Sequence, residues 1–222
     1  MAVAITLDKV SAGYQGAPVL HDITLSIEPG ERVAVIGRSG AGKSTLLNTI
    51  YHRYPDHAAL IPQASALVAN LSVFHNVFMG CLDRNSTLYN LRTLVRPPAA
   101  EIAAVARVLA AVGLEQKLFA KAGELSGGQQ QRTSVARAML NGRPIILGDE
   151  PVSALDRVQG ADVLRALAER HETKIFAMHD IRLALEHSDR IVLLEGGRII
   201  LDEPSSDLTY ERLLPHFEGE LH

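Results

Sequence analysis

The sequence has little cysteine and no strongly basic segment, and each shortage excludes a class of protein. Cys81 is the only cysteine, so no disulfide can form within the chain, and a disulfide-stabilised secreted domain is excluded. The formal net charge of −3 and the lack of a Lys/Arg-rich run argue against nucleic acids and other polyanions as partners. The first ten residues lack a basic segment followed by an apolar one, so we expect a cytoplasmic protein.

Charge is also missing between Asp56 and Asp83, a stretch long enough to raise the question of a membrane span. A span is unfavourable there, because Pro62, Gln63 and Asn70 interrupt it and unpaired polar groups are costly in lipid. Two interpretations stay open. The stretch forms part of the hydrophobic core, or it forms a surface that receives an apolar partner.

Apolar residues are plentiful, at 47% of the chain, which suits one compact domain with a large core. Hydrophobic periodicity and turn residues predict alternating strands and helices, with parallel strands in the second half and a final hairpin that turns at Gly196-Gly197. The predicted strands are 3–10, 19–27, 32–36, 60–62, 145–147 and 174–178, and the predicted helices are 42–51, 99–112, 128–141, 157–170 and 181–187. We therefore predict an α/β fold with a mainly parallel core sheet.

A phosphate-binding loop is predicted at residues 37–44, which fit the pattern G-x-x-x-x-G-K-[ST] between a predicted strand and a predicted helix. Glycines let backbone N–H groups face phosphates, and the helix N-terminus adds positive potential. Lys43 can neutralise the outer phosphates, and Ser44 can bind Mg²⁺. The predicted nucleotide contacts here are Gly37, Arg38, Ser39, Gly40, Ala41, Gly42, Lys43, Ser44 and Thr45.

Two carboxylates, Asp149 and Glu150, follow the apolar run 145–147. Ligands bind at the carboxyl ends of strands in open α/β sheets. Asp149 can hold Mg²⁺ directly or through water, and Glu150 can polarise an attacking water as general base. The alternative is a strand end with two solvated acids, which the phosphate loop makes less favourable.

The segment Leu125–Gln129 has the pattern of a helix start, with Ser126 as N-cap and Gln129 completing a capping box. Two adjacent glycines, Gly127 and Gly128, are costly in a helix, at about 1 kcal/mol each in its interior. Something must therefore approach the backbone closely at this point. A second anion-binding helix terminus is the natural candidate.

Taken together, these motifs resemble those of the ATP-binding cassette (ABC) ATPases, and the resemblance runs from about residue 3 to 202. Leu125–Gln129 is similar to the family signature, and Gln63, residues 153–156 and His179 match further family motifs in the expected order. The resemblance implies a P-loop NTPase that binds ATP and Mg²⁺. It also implies that two chains stack head to tail, with each ATP between the phosphate loop of one and the signature segment of the other.

The family likeness also implies roles for single residues. Tyr14 stacks on adenine, Gln63 senses Mg²⁺ and the attacking water while linking to the transporter, and Asp156 lies in a loop that communicates across the dimer. His179 and the partner's Ser126 contact the γ-phosphate. The implied catalytic residues are Glu150, His179 and Gln63, the implied metal ligands are Ser44, Gln63 and Asp149, and Gly127, Gly128 and Gln129 join Ser126 at the nucleotide. Without the likeness, the favoured interpretation of Tyr14 is an ordinary edge-strand aromatic, and that of His179 is a strand-end histidine whose hydrogen bonds are satisfied by backbone.

Two intervals describe the subdomains. Only 20 residues separate Lys43 from Gln63, a short interval for the family, so we expect a trimmed antiparallel β subdomain. The 63 residues from Gln63 to Ser126 are enough for an inserted α-helical subdomain. We predict one ABC ATPase domain over 1–222, with 1–63 and 125–222 as the core and 64–124 as the helical subdomain. Residues 67–82 resemble the ATP-binding subunits of phosphonate importers.

The sequence thus predicts an ATP-hydrolysing subunit, bound peripherally to the cytoplasmic face of the membrane, that powers an ABC transporter through separate permease subunits. The likeness implies a homodimer or a second nucleotide-binding subunit, an external solute-binding protein as a further partner, and import of a small solute. The alternatives are an ATP-gated dimerising module that hardly hydrolyses ATP, and an exporter or lipid-extraction ATPase. A DNA-repair or translation ATPase is disfavoured, since the sequence shows no tandem cassette, coiled-coil insert or basic arm.

Overall fold

The fold was obtained as a computed structural model, which describes residues 3–14 and 17–217, apart from the side chain of Tyr14. Its strands are β1 (Ile5–Tyr14), β2 (Ala17–Ile27), β3 (Arg32–Ile36), β4 (Ala58–Ile61), β5 (Ile145–Asp149), β6 (Thr173–Ala177), β7 (Arg190–Glu195) and β8 (Arg198–Pro204). Its α-helices are α1 (Lys43–Arg53), α2 (Val73–Phe78), α3 (Thr87–Val95), α4 (Ala99–Ala111), α5 (Gly127–Asn141), α6 (Arg157–Arg170), α7 (Ile181–His187) and α8 (Tyr210–Leu213).

The chain divides into two compact units. We call residues 1–60, 143–153 and 171–222 the core unit, and residues 61–142 and 154–170 the helical unit. The predicted helical subdomain, 64–124, lies inside the helical unit, and its boundaries stay a prediction. Within the described ranges, no helix is both long enough and apolar enough to cross a membrane.

A six-stranded sheet of order β4-β5-β6-β3-β7-β8 runs through the core unit. β5, β6, β3 and β7 pair in parallel, and β8 pairs antiparallel with β7 across the predicted turn at Gly196-Gly197. Nearly every residue of β3, β5 and β6 is buried, as expected for parallel strands covered on both faces. The predicted α/β fold with a mainly parallel sheet is confirmed.

The second sheet of the core unit is small, and contains only β1 and β2 among the described strands. Its apolar side chains, including Ile5, Leu7 and Leu25, pack into the same hydrophobic cluster as Leu46 and Leu47 of α1. After α1 the chain passes through one turn into β4, which belongs to the six-stranded sheet. The predicted trimmed antiparallel β part is confirmed.

The helical unit surrounds α5, which packs against α2, α4 and α6. In α2, Val73, Phe74, Val77 and Phe78 are buried. The core interpretation of the charge-free stretch is therefore confirmed for α2. Helix α3, which lies beyond that stretch, was not predicted from the sequence.

Candidate active site

Three neighbouring strands end at one edge of the parallel sheet and carry the predicted chemistry. Val35 of β3 is in register with Ala177 of β6, and Ala177 is in register with Asp149 of β5. Neighbouring strands lie about 4.8 Å apart, so this row spans about 10 Å. The segments that follow these strands are the phosphate loop, His179 and Glu150. The structure therefore brings three of the predicted motifs to one sheet edge.

Close packing shapes the phosphate loop and explains two of its glycines. Gly37 and Gly42 have φ angles of +146° and +105°, which L side chains rarely adopt. A Cβ on Gly42 would lie 2.7 Å from Leu20 Cδ2, and one on Gly37 would lie 2.3 Å from the Leu194 carbonyl oxygen. The loop can therefore turn into α1 only with glycine at these positions.

Lys43 is the first residue of α1, and its ammonium group lies inside the loop. The residue is only 5% exposed, and Nζ donates to the carbonyl oxygens of Gly37 at 2.6 Å and Arg38 at 3.1 Å. Ser44 and Thr45 follow in the first helical turn, where backbone N–H groups and the helix dipole favour anions. This arrangement provides a positive charge and several donors for a polyphosphate.

Glu150 and His179 face each other across the ends of β5 and β6. His179 Nε2 lies 2.6 Å from Glu150 Oε1, and the Glu150 side chain is only 15% exposed. Glu150 has a φ of +54°, an uncommon conformation for a non-glycine residue, and it is held by a bond from its N–H to the Ala177 carbonyl at 3.1 Å. Strained backbone that is held by its surroundings is typical of catalytic positions. The pair can orient and polarise a water molecule.

The oxygen donors at this edge fit Mg²⁺. Magnesium is held in proteins through one or two carboxylates, substrate phosphates and water. Asp149, 7% exposed at the end of β5, offers one carboxylate, and Ser44 offers a hydroxyl in the first turn of α1. Over the described residues there is no cluster of three or more His, Cys, Asp or Glu side chains that would form an all-protein metal cage. This donor set suits a cation that arrives with a phosphate-bearing ligand.

A cleft of about 550 Å³ in the core unit extends from the first turns of α1. It is lined by Ala12, Gly13, Thr45, Asn48, Thr49, His52 and Arg53. Because it includes Thr45 and the end of β1, it suits the base and sugar of a nucleotide whose phosphates lie on the loop. Asn48 and His52, which line this cleft, were not singled out from the sequence, and both side chains also bond to backbone carbonyls of α1, Asn48 to Ser44 at 2.8 Å and His52 to Asn48 at 2.7 Å. The side chain of Tyr14, predicted to stack on adenine, lies outside the described part of the structure.

The predicted capping box at the start of α5 is present. The Ser126 hydroxyl accepts from the Gln129 N–H, and Gln129 Oε1 accepts from the Ser126 N–H at 3.1 Å. The two glycines that follow differ. A Cβ on Gly128 would lie 3.1 Å from the Ala154 carbonyl oxygen, whereas a Cβ on Gly127 would meet no described atom within 4 Å other than its chain neighbours and the backbone of its own helix. Packing within the chain thus requires a glycine at position 128, whereas the open space beside Gly127 leaves room for a ligand.

The segment 154–156 belongs to the helical unit and is held there by α5. Gln131, which is 6% exposed, accepts a hydrogen bond from the Ala154 N–H at 2.8 Å. Asp156 Oδ1 accepts from the Gln159 N–H at 2.9 Å and caps α6. The role of Asp156 across a dimer stays a prediction, and the hydrogen bond between Gln131 and this segment was not predicted from the sequence.

Gln63 is exposed in the helical unit, two residues after β4. The residues that follow it are held by Arg137 of α5, whose guanidinium donates to the carbonyl oxygens of Ala66 at 2.9 Å and Ser65 at 3.0 Å. Gln63, the segment Ser126–Gln129 and Asp156 therefore lie in the helical unit, whereas the phosphate loop, Asp149, Glu150 and His179 lie in the core unit. Nothing in the sequence indicated the contact between Arg137 and this segment.

A parallel sheet with a phosphate loop and strand-end carboxylates defines a P-loop NTPase. The sequence profile of the family described as "ABC transporter" matches residues 20–153. The chain therefore belongs to the ABC transporter family, in which it is an ATP-hydrolysing, nucleotide-binding subunit.

Three relatives illustrate the range of similarity. The phosphonates import ATP-binding protein PhnC of Polaromonas sp. is 34% identical, and the match covers 98% of this chain and 90% of that protein. The macrolide export ATP-binding/permease protein MacB of Chromobacterium violaceum is 36% identical over 80% of this chain, which spans only 31% of that protein. The dimeric post-hydrolysis structure of the ATP-binding cassette MJ0796, bound to ADP and Pi, has a TM-score of 0.75 at 26% identity, covering 91% of this chain and 99% of that one.

Proposed function

We propose that the chain powers the import of a small solute, a phosphonate or related phosphorus compound, through a separate permease at the cytoplasmic face of the membrane. An external solute-binding protein delivers the solute in this proposal. Two copies, or this chain and a second nucleotide-binding subunit, enclose ATP at a head-to-tail interface. The dimeric MJ0796 cassette with ADP and Pi supports such an arrangement.

The observation that carries the importer proposal is the extent of the match. The phosphonate relative is aligned over 98% of this chain and 90% of its own length, so both are cassettes of similar size. The macrolide relative joins its cassette to a permease in one protein, of which this chain spans 31%. Its 36% identity still favours export as the second candidate.

In the proposed reaction, Glu150 accepts a proton from the water whose oxygen bonds to the γ-phosphorus, while the bond from that phosphorus to the bridging oxygen breaks and ADP leaves with the electron pair. His179, held 2.6 Å from the Glu150 carboxylate, orients it and contacts the phosphate. Lys43 and the loop N–H groups stabilise the charge that develops on the phosphate oxygens. Gln63 orients the water, and Ser126, Gly127, Gly128 and Gln129 of the opposite copy complete the site. Asp156 connects the two copies, and Tyr14 stacks on the base.

Ser44 and Asp149 would hold Mg²⁺ in this site, with Gln63 as a further oxygen ligand. When bound, the cation neutralises negative charge on the phosphates.

The test combines turnover with transport. Mg²⁺-dependent ATP turnover per chain is measured against chain concentration for wild type, Glu150→Gln and the control Glu115→Gln, an exposed residue of the helical unit. We expect wild-type turnover to rise with concentration, because the site needs two chains. Glu150→Gln should lower turnover about 10²- to 10⁴-fold, the usual range for loss of a general base, and retain ATP binding.

The same variants, expressed in cells that naturally contain the chain, decide the direction of transport. Uptake of labelled methylphosphonate should be lost with Glu150→Gln and kept with Glu115→Gln. Near-normal turnover of Glu150→Gln would refute the role of Glu150. Unchanged phosphonate uptake together with impaired macrolide efflux would replace the importer by the exporter.

A further inference from the structure

Three polar side chains lie in a row along the part of α1 that lines the cleft described above. They belong to Asn48, Thr49 and His52, and each contacts a backbone carbonyl oxygen four residues earlier. The distances are 2.8 Å from Asn48 Nδ2, 2.7 Å from the Thr49 hydroxyl and 2.7 Å from His52 Nδ1. A carbonyl oxygen can only accept, so each contact takes a donor from the side chain. The row therefore offers acceptor atoms to a ligand in the cleft.

The contact that His52 makes fixes which of its ring nitrogens carries the proton. Because the Asn48 carbonyl oxygen only accepts, the proton of the neutral imidazole lies on Nδ1, and Nε2 carries a lone pair. The rings of Tyr51 and His52 meet in a T-shaped arrangement, with centroids 5.7 Å apart, which restricts the orientation of the imidazole further. His52 is exposed and lines the cleft, so Nε2 is the acceptor that a ligand in the cleft meets.

The distance of His52 from the phosphate loop suits the base of a nucleotide. Thr45, which lines the same cleft, is in the first turn of α1 beside the loop. His52 lies seven residues later, which is about 10 Å along the helix axis. This is comparable to the length of a nucleoside, so a nucleotide with its phosphates on the loop can bring its base to His52. All of these residues belong to the core unit.

The two common purines differ at the atom that an acceptor would meet. Adenine carries an amine at position 6, which donates, whereas guanine carries a carbonyl oxygen there, which accepts. His52 Nε2 can pair with the amine, but it would face the carbonyl as acceptor against acceptor and leave both atoms without a partner. Arg53 also lines the cleft and is exposed. Its guanidinium can donate to N7, which both purines carry, or to the carbonyl of guanine, so its contribution must be measured separately.

We propose that His52 determines the base specificity of this chain, because its Nε2 accepts a hydrogen bond from the exocyclic amine of adenine. The chain then favours ATP over nucleotides that carry a carbonyl at the same position. The ribose hydroxyls are donors, and they fit the oxygen acceptors of Asn48 and Thr49 in the same row. This inference rests on the proposed function, in which the phosphates lie on the loop, and it is independent of the solute and of the direction of transport.

The test compares three nucleoside diphosphates that differ only at position 6 of the base and have no γ-phosphate to lose. ADP carries the amine, inosine diphosphate carries a carbonyl, and purine riboside diphosphate carries a hydrogen atom. Their dissociation constants are measured by titration calorimetry with the full chain and Mg²⁺ at about pH 8, where an ordinary imidazole is neutral. For wild type we expect purine riboside diphosphate to bind about threefold and inosine diphosphate about tenfold more weakly than ADP.

Four variants separate the role of His52 from other effects. His52→Phe, which keeps a ring and removes the acceptor, should bind ADP and inosine diphosphate with about equal affinity. His52→Lys, which can only donate, should prefer inosine diphosphate. Arg53→Met should weaken binding but keep a preference for ADP of at least about tenfold. The matched control is His57→Phe, an exposed histidine that is not among the residues lining the cleft, and it should behave as wild type.

Three outcomes would overturn the proposal. The first is equal affinity of wild type for ADP and inosine diphosphate. The second is a preference for ADP that persists in His52→Phe, which would place the selecting atom elsewhere. The third is an equal loss of affinity for all three nucleotides in His52→Phe with their ratios unchanged, which would make His52 a residue that only supports α1. A wild-type chain that binds none of the three nucleotides would instead contradict the proposed function.

Discussion

Arg137 is expected to hold the segment after Gln63 in place, so its replacement should lower both the stability of the fold and ATP turnover. Its guanidinium donates to the carbonyl oxygens of Ala66 and Ser65 and to the Ser134 hydroxyl at 3.3 Å. Burial lowers the pKa of Arg137, because desolvation disfavours the charged form of the guanidinium. The perturbation is Arg137→Met, which keeps most of the apolar stem and removes every donor.

The magnitude follows from what the substitution leaves behind. A buried acceptor that loses its partner costs about 1 to 3 kcal/mol. Ser65 is partly buried, whereas Ala66 is exposed and its carbonyl can bind water instead. Relief of the desolvation of the guanidinium offsets part of the loss. We therefore expect Arg137→Met to lower the free energy of unfolding by about 2 kcal/mol, and Arg137→Lys, which keeps one donor group, to recover about half of it.

Urea denaturation of wild type, both variants and the control Arg107→Met, an exposed residue of α4, measures this loss. The values of KM and kcat distinguish a role of Arg137 in positioning the segment after Gln63 from a simple loss of stability. Because the phosphate loop lies in the core unit, the KM for ATP should stay near the wild-type value in Arg137→Met, while kcat falls about tenfold. Partial rescue of kcat by Arg137→Lys is expected. A free energy of unfolding within 0.5 kcal/mol of wild type, in the usual range of a neutral surface substitution, would refute the reasoning.

Two further predictions concern the glycines of α5 and the phosphate loop. Gly128→Ala should destabilise the chain by about 1 to 2 kcal/mol, because its Cβ would press on the Ala154 carbonyl oxygen at 3.1 Å, whereas Gly127→Ala should be neutral or stabilising by up to about 1 kcal/mol. Equal changes in melting temperature for the two variants would show that the contact with the Ala154 carbonyl oxygen does not affect stability. Lys43→Met should weaken binding of a fluorescent ATP analogue at least about 100-fold, because the variant has no charge to neutralise the outer phosphates. Unchanged affinity would contradict the assignment of the loop.

The α/β fold and the phosphate loop could be predicted because their signals are local. Residues 37–44 carry their chemistry in a continuous pattern, and β3, α6 and α7 occupy the predicted residues 32–36, 157–170 and 181–187. The end of β5 was predicted two residues early, because Gly148 and Asp149 have low strand propensity. They continue the strand because they pair with residues of β6. The roles of Gln63, His179 and Asp156 came from family resemblance and remain to be tested by substitution.

The sequence by itself determined the phosphate loop, the strand-end carboxylates and the capping box of α5, since neighbouring residues specify each of them. Only the tertiary structure decided three other features. It places Gly128, but not Gly127, in close contact with the Ala154 carbonyl oxygen. It also brings the Arg137 guanidinium to the segment after Gln63 and leaves the leucines of α3 exposed to solvent. Each depends on contacts between residues that are distant in the chain, and the orientation of α3 also runs against the rule that apolar helix faces turn inward. Local pattern and composition carry no information about such contacts, because the packing of the whole helical unit determines them.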